Sequence, residues 1–170
     1  MPEIRMIGLD LDGTLLRRDQ TVSEGNLQAL RKCVEQGIQI YLISGRPYCF
    51  TKMIAQQIHE RVKVISSNGG IYEIGTRCIE QWIEPYCLHQ IIEVLKREEY
   101  AHAFFKGKYE FFTHEPYDER FLYDHMNDRL PADVQVKSFT DMSWEELSRN
   151  VHDIAKILVY DMNAQRLLKA

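Results

Sequence analysis

Three short apolar runs, separated by amphipathic stretches of helix length, constrain this chain more than any other feature of its 170 residues. The first, Ile4 to Leu11, is apolar at Ile4, Met6, Ile7, Leu9 and Leu11 and reads as a buried strand. A helix follows. Thr21-Val22-Ser23-Glu24 has the spacing of a capping box, Leu27, Leu30 and Val34 recur on one face, and Gly37 supplies a stop. Ile38 to Ile43 is a second strand, apolar almost throughout, as expected when both faces are covered. Pro47 suits the first turn of a second helix, lined by Phe50, Ile54 and Ile58. A third strand, Val62 to Ser66, runs into Asn68-Gly69-Gly70. Strand, helix, strand, helix, strand with short connections requires right-handed parallel crossovers, which predicts an α/β chain with half of a doubly wound, Rossmann-like parallel sheet.

In such sheets ligands sit beyond the carboxyl ends of the strands. The three ends here carry Asp10-Leu11-Asp12-Gly13-Thr14, Ser44-Gly45-Arg46 and Asn68-Gly69. Side chains two apart on a strand project to the same side, so Asp10 and Asp12 crowd each other where the first strand runs out. Two carboxylates that close are costly unless a cation or a shared proton relieves them. Gly13 permits a sharp turn and Thr14 adds a hydroxyl at the same rim. This is the arrangement of a phosphoryl-transfer site.

Beyond Gly70 the pattern changes. Ile71–Ile74 and Arg77–Ile83 read as a hairpin through Gly75, and Pro85 to Glu99 as a helix with Leu88, Ile91, Ile92 and Leu95 on one face. Phe104 to Phe112 reads as two strands around Gly107, with the aromatics forming sheet core. Glu115 to Ser138 is polar, with one or two short helices. Ser143-Trp144-Glu145-Glu146 is a second capping-box spacing, Ile154 to Tyr160 a strand, and Asn163 to Ala170 the start of a helix. The expected division is 1–83 and 84–170.

A net charge of −4 argues against nucleic acid or an anionic membrane as partner. The longest apolar run is far too short to span a bilayer. The four cysteines, 33, 49, 78 and 87, lack C-x-x-C spacing and read as reduced thiols of a cytoplasmic protein. The six histidines show no metal-ligand spacing.

With D-L-D-G-T-L-L at residues 10–16, Ser44-Gly45-Arg46 after the second strand and Asn68-Gly69 after the third, the chain resembles the haloacid dehalogenase superfamily phosphatases of the Cof type. The resemblance implies a core in residues 1–83 and a partial α+β cap in 84–170. It implies that Asp10 is the nucleophile that becomes an aspartyl-phosphate and that Asp12 is the general acid and base. Mg²⁺ would be held by the Asp10 carboxylate and the Asp12 main-chain carbonyl. Thr14, Ser44, the Gly45 amide and Asn68 would bind the phosphoryl group. Arg46 either binds the phosphoryl group with them from the same crevice or stands as an exposed charge at a helix start.

The sequence also departs from the family pattern. A lysine that neutralises the nucleophile and an acidic pair that completes the magnesium site are expected after the cap. Lys156 falls inside a cap strand, and Asp124 and Asp128 have the spacing of a solvated helix face. The expectation is therefore a C-terminally truncated magnesium-dependent phosphatase of small metabolites such as sugar phosphates. The alternative is an inactive truncated protein that oligomerises or pairs with a second fragment through the exposed edge of its first strand.

Overall fold

A computed structural model describes residues 4–97, 102–116 and 124–160. The chain divides into two compact units, Met1–Gln81 and Trp82–Ala170.

In the first unit a five-stranded sheet has the order β1-β2-β3-β4-β5. Its strands are β1 (Met6–Asp10), β2 (Gln39–Ile43), β3 (Lys63–Ser66), β4 (Ile71–Ile74) and β5 (Arg77–Glu80). β1, β2 and β3 run parallel, with Asp10 beside Ile43 and Ile43 beside Ile65. The hairpin β4–β5 then adds to the same sheet antiparallel. The crossovers are α1 (Glu24–Glu35) and α2 (Tyr48–Ile58). Leu30 and Val34 of α1, Ile54, Ala55 and Ile58 of α2, and Ile40, Leu42 and Val64 of the strands form one buried cluster. Arg31 of α1 donates to the Gln57 and Ile58 carbonyls at 2.7 and 2.9 Å, satisfying main-chain acceptors at the end of α2. Buried Glu73 of β4 accepts from Tyr48 Oη at 2.8 Å and Lys52 Nζ at 3.0 Å, which compensates its charge and ties β4 to α2.

Two local expectations are corrected. The cap of α1 is Ser23, not Thr21: Ser23 Oγ accepts from the Asn26 amide at 3.1 Å, while Thr21 bonds Asp19. Asn26 stands where a capping box needs Glu or Gln, so only half of the motif forms. The expectation of two covered sheet faces also fails among the described residues. Both helices pack on the face of Ile40 and Leu42, and on the other face Met6 and Ile43 are 59% and 43% exposed. β1 is thus not buried. Among the described residues it is the edge strand, hydrogen-bonded to β2 alone.

The second unit holds a four-stranded sheet of order β8-β7-β6-β9. Its elements are α3 (Pro85–Arg97), β6 (His102–Lys106), β7 (Glu110–Thr113), α4 (Asp124–Asn127), β8 (Lys137–Phe139), α5 (Trp144–Asn150) and β9 (Lys156–Tyr160). Leu88, Ile92 and Leu95 of α3 and Leu147 of α5 pack against Ala103, Phe105 and Phe112 on one sheet face. Phe104 and Phe111 stack at 5.4 Å on the opposite face. Ser143 caps α5 with the full reciprocal box, Glu146 returning to the Ser143 amide at 2.8 Å. β8, parallel to β7, was not expected from sequence, because Lys137-Ser138-Phe139 is too short and polar to show alternation. The helix expected over Asn163 to Ala170, and the end of α3 past residue 97, lie outside the described residues.

Candidate functional site at the strand ends

β1 stops at Asp10, and residues Leu11–Leu15 form a tight turn that Gly13 makes possible at φ 76°. Leu11 and Leu15 are buried beneath the turn, 0% and 6% exposed, so the polar residues between them face outward. The Leu16 amide closes the turn on the Leu11 carbonyl at 2.9 Å. Thr14 Oγ1 donates to Asp10 Oδ2 at 3.3 Å, bringing the expected hydroxyl onto the expected carboxylate.

The other two strand ends are laced together by main-chain bonds. The Ser44 amide donates to Ile65 O at 2.9 Å, the Ser67 amide to Arg46 O at 3.0 Å, and the Asn68 amide to Ser44 O at 3.3 Å. Ser67 and Asn68 both adopt left-handed backbone, at φ 51° and 56°, before Gly69 at 97°. Two non-glycine residues in that region in succession cost energy that the surrounding bonds must overcome, a pattern that clusters at functional sites. Ser44 is buried, and its hydroxyl accepts from the Arg46 amide at 3.2 Å.

The two carboxylates find different partners. Arg46 Nε donates to Asp12 Oδ2 at 3.0 Å and Nη2 pairs with Asp12 Oδ1, a fork that spans both carboxylate oxygens. Asp12 lies in the turn beyond the end of β1, not on the strand with Asp10, and its charge is compensated by this guanidinium. Its hydrogen bonds, and then its charge, hold the Asp12 carboxyl below the usual carboxylate range against the opposing effect of partial burial. Arg46 is therefore no free helix-start charge; it is 16% exposed, against 56% for Asp12. Such exposure of the carboxylate screens the pair and keeps its contribution to stability small. Arg46 Nη2 also meets Gln20 Oε1, on the turn that follows the aspartate loop.

Gln20 is the residue that sequence reasoning missed. Its φ of 62° is a strained conformation for a side-chain-bearing residue, and no motif flags it. Ser67 was passed over for the same reason. The structure thus brings together Asp10 with Thr14, Asp12 with Arg46, and the Ser44 and Asn68 loops. Lys156 stands apart from this cluster in sequence and unit, on β9 directly across from Lys106. Burial lowers the affinity of both amines for protons, and the Lys106 charge adds to the effect on Lys156. Asp128 is exposed just past α4, as a solvated residue would be. No helix is long and apolar enough to cross a membrane among the described residues.

The profile of the haloacid dehalogenase-like hydrolases matches residues 7–169. Among curated proteins, phosphatase YwpJ of Bacillus subtilis (strain 168) is 30% identical over 138 residues, covering 80% of this chain and 44% of that protein. A 5-amino-6-(5-phospho-D-ribitylamino)uracil phosphatase of the same organism, YitU, is 38% identical over 64 residues, 38% of this chain and 24% of that protein. A solved haloacid dehalogenase-like hydrolase from B. subtilis superposes with a TM-score of 0.74 at 24% identity, over 97% of this chain and 64% of that one. The chain therefore spans less than half the length of these two curated relatives.

Proposed function

Because the chain belongs to the haloacid dehalogenase-like hydrolases, we propose that its strand-end cluster is the phosphoryl-handling centre of a phosphatase acting on small phosphorylated metabolites, with sugar phosphates as the expected class. The observation that carries this reading is the pairing of Asp10 with Thr14 and of Asp12 with Arg46 at the end of β1, beside the laced Ser44 and Asn68 loops. On this reading residues 1–83 form part of the catalytic core and residues 84–170 part of a cap.

An Asp10 oxygen attacks phosphorus as the bond to the leaving alkoxide breaks, and the alkoxide takes its proton from Asp12. Water then attacks the aspartyl-phosphate at phosphorus and gives its proton to Asp12, restoring Asp10 and releasing inorganic phosphate. The Arg46 fork favours the ionised Asp12 that this second step requires and opposes the protonated form that the first step uses. Thr14, Ser44, the Gly45 amide and Asn68 orient the phosphoryl oxygens.

The donor chemistry suits Mg²⁺. The Asp10 carboxylate and the Asp12 main-chain carbonyl are hard oxygen ligands, while the Asp12 side chain is occupied by Arg46. No group of three or more His, Cys, Asp or Glu able to hold a metal occurs among the described residues. When bound, the ion supplies charge neutralisation at the phosphoryl group.

Hydrolysis of p-nitrophenyl phosphate, dependent on magnesium and abolished in Asp10→Asn, is the expected result. No turnover by the wild type, or equal turnover by the variant, refutes an active site in this chain. The edge position of β1 favours a second reading, with Ile4 and Met6 66% and 59% exposed. In it the chain pairs along that edge with a further copy or a complementing fragment, and turnover emerges only on mixing with the latter.

A further inference from the structure

The buried carboxylate of Glu73 takes no part in the chemistry above, yet it joins the elements in which two of the strand-end loops finish. α2 starts at Tyr48, just past the Ser44–Arg46 loop, and β4 starts at Ile71, just past the Ser67–Asn68 turn. The sequence of α2 does little to fix where the helix begins. Pro47 at its N-cap makes no side-chain hydrogen bond, and its first turn holds no acidic residue. The start is held from β4 instead. Glu73 accepts from Tyr48 Oη at 2.8 Å and from Lys52 Nζ at 3.0 Å, side chains four apart and so on one face of the helix.

An apolar residue would pack β4 on α2 without burying a charge, as fully buried Ile71 does on the same strand. Hydrogen bonds differ in fixing distance and angle, where apolar contacts let neighbours slide. The loops need such fixing. Ser67 and Asn68 hold successive left-handed conformations, which persist only where the surroundings over-determine them. Their amides reach Arg46 O and Ser44 O only while the two loops stand at one separation. A closed frame sets it, running from Arg46 through Tyr48 and Glu73 to Ile71 and back through the turn, where Ser66 Oγ donates to Ile71 O at 2.9 Å.

We propose that Glu73 is a positioning residue for the phosphoryl site. It acts through Tyr48 and Lys52 on the Ser44–Arg46 loop and through β4 on the Ser67–Asn68 turn, holding both at the spacing in which they take phosphoryl oxygens together. This rests on the phosphoryl-transfer reading of the strand ends and adds to it a residue remote from the substrate that tunes its binding.

The test compares the full chain of the wild type, Glu73→Leu/Lys52→Leu and Tyr48→Phe by thermal unfolding, amide hydrogen exchange and calorimetric titration with inorganic phosphate. The double variant is expected to unfold near the wild-type temperature, because an apolar pair replaces a buried ion pair at little cost. Its Ser67 and Asn68 amides are expected to exchange about tenfold faster and phosphate to bind about tenfold more weakly. The Ile38 and Gln39 amides, at the opposite end of β2, should keep their rates. Should the double variant not fold, Tyr48→Phe leaves the ion pair intact and is expected to weaken phosphate binding by about threefold. Phosphate affinity within about 1.5-fold of wild type in whichever variant folds overturns the proposal and leaves the site reading standing. Exchange that rises equally at Ile38 and Gln39 does the same, since it marks a role in global stability alone. A wild type that binds no phosphate overturns both together.

Discussion

At the scale of single residues, environment sorts side chains of one type into different chemistry. Cys49 is buried and desolvation pushes its thiol up to about 12, whereas Cys87 is exposed on α3. Only the thiolate reacts, so iodoacetamide at pH 8 is expected to label Cys87 rapidly and Cys49 only after denaturation, as peptide mapping would show. Equal labelling of both in the native protein would contradict the packing around Cys49. The carboxylates of the site divide similarly, Asp12 being held by Arg46 and Asp10 by the Thr14 hydroxyl. Sequence made the aspartates, Thr14, Ser44 and Asn68 visible because strand ends and turn glycines announce themselves. It could not reveal the Arg46 fork, which joins residues 34 positions apart. Nor could it reveal Gln20, an unremarkable polar residue until the backbone around it is known.

Among the elements, end signals were legible to the extent that they were complete. Ser143 and Glu146 satisfy each other, and the cap of α5 follows the sequence pattern. The α1 cap shifted by two residues because Ser23 and Thr21 compete and Ser23 is the one followed by a helical run. At the far end of α1 the Gly37 amide bonds Val34 O at 3.1 Å and the Ile38 amide bonds Cys33 O at 3.0 Å, with Gly37 at φ 84°. This is the Schellman arrangement that a terminal glycine implies. Ser143→Ala should destabilise the protein by about 1 kcal/mol in urea unfolding at neutral pH. The two Ser143 hydrogen bonds, backbone before side chain, hold Glu146 below its ordinary value. Its contribution is therefore present above the unfolded carboxyl range and is lost as pH falls through the lowered folded value. The destabilisation measured for Glu146→Gln should shrink accordingly in acid, and a penalty that does not change with pH would contradict the box.

For the whole molecule, the two units differ in how their sheets were readable. The parallel strands of the first carry apolar runs, and their crossovers leave few topologies open. The second unit mixes antiparallel and parallel pairs, and β8 joins through a pairing with β7 that no local pattern encodes. The open features lie in the first unit, in the β1 edge and the sheet face bearing Met6 and Ile43. An apolar edge without proline or inward-facing charge is a template for further strands. Sedimentation velocity is expected to show the mass of the wild type rising with concentration, and Met6→Lys suppressing that rise. A wild type that stays monomeric throughout would remove self-pairing along this edge.

The lacing of the strand ends has an evolutionary side. Ser44 N to Ile65 O, Ser67 N to Arg46 O and Asn68 N to Ser44 O all run between peptide groups. Peptide groups bond in the same way whatever side chains they carry, so these loops stay moored when residues 44 or 46 are exchanged. Selection can retune what the strand tips recognise, one substitution at a time, without first solving the folding problem again.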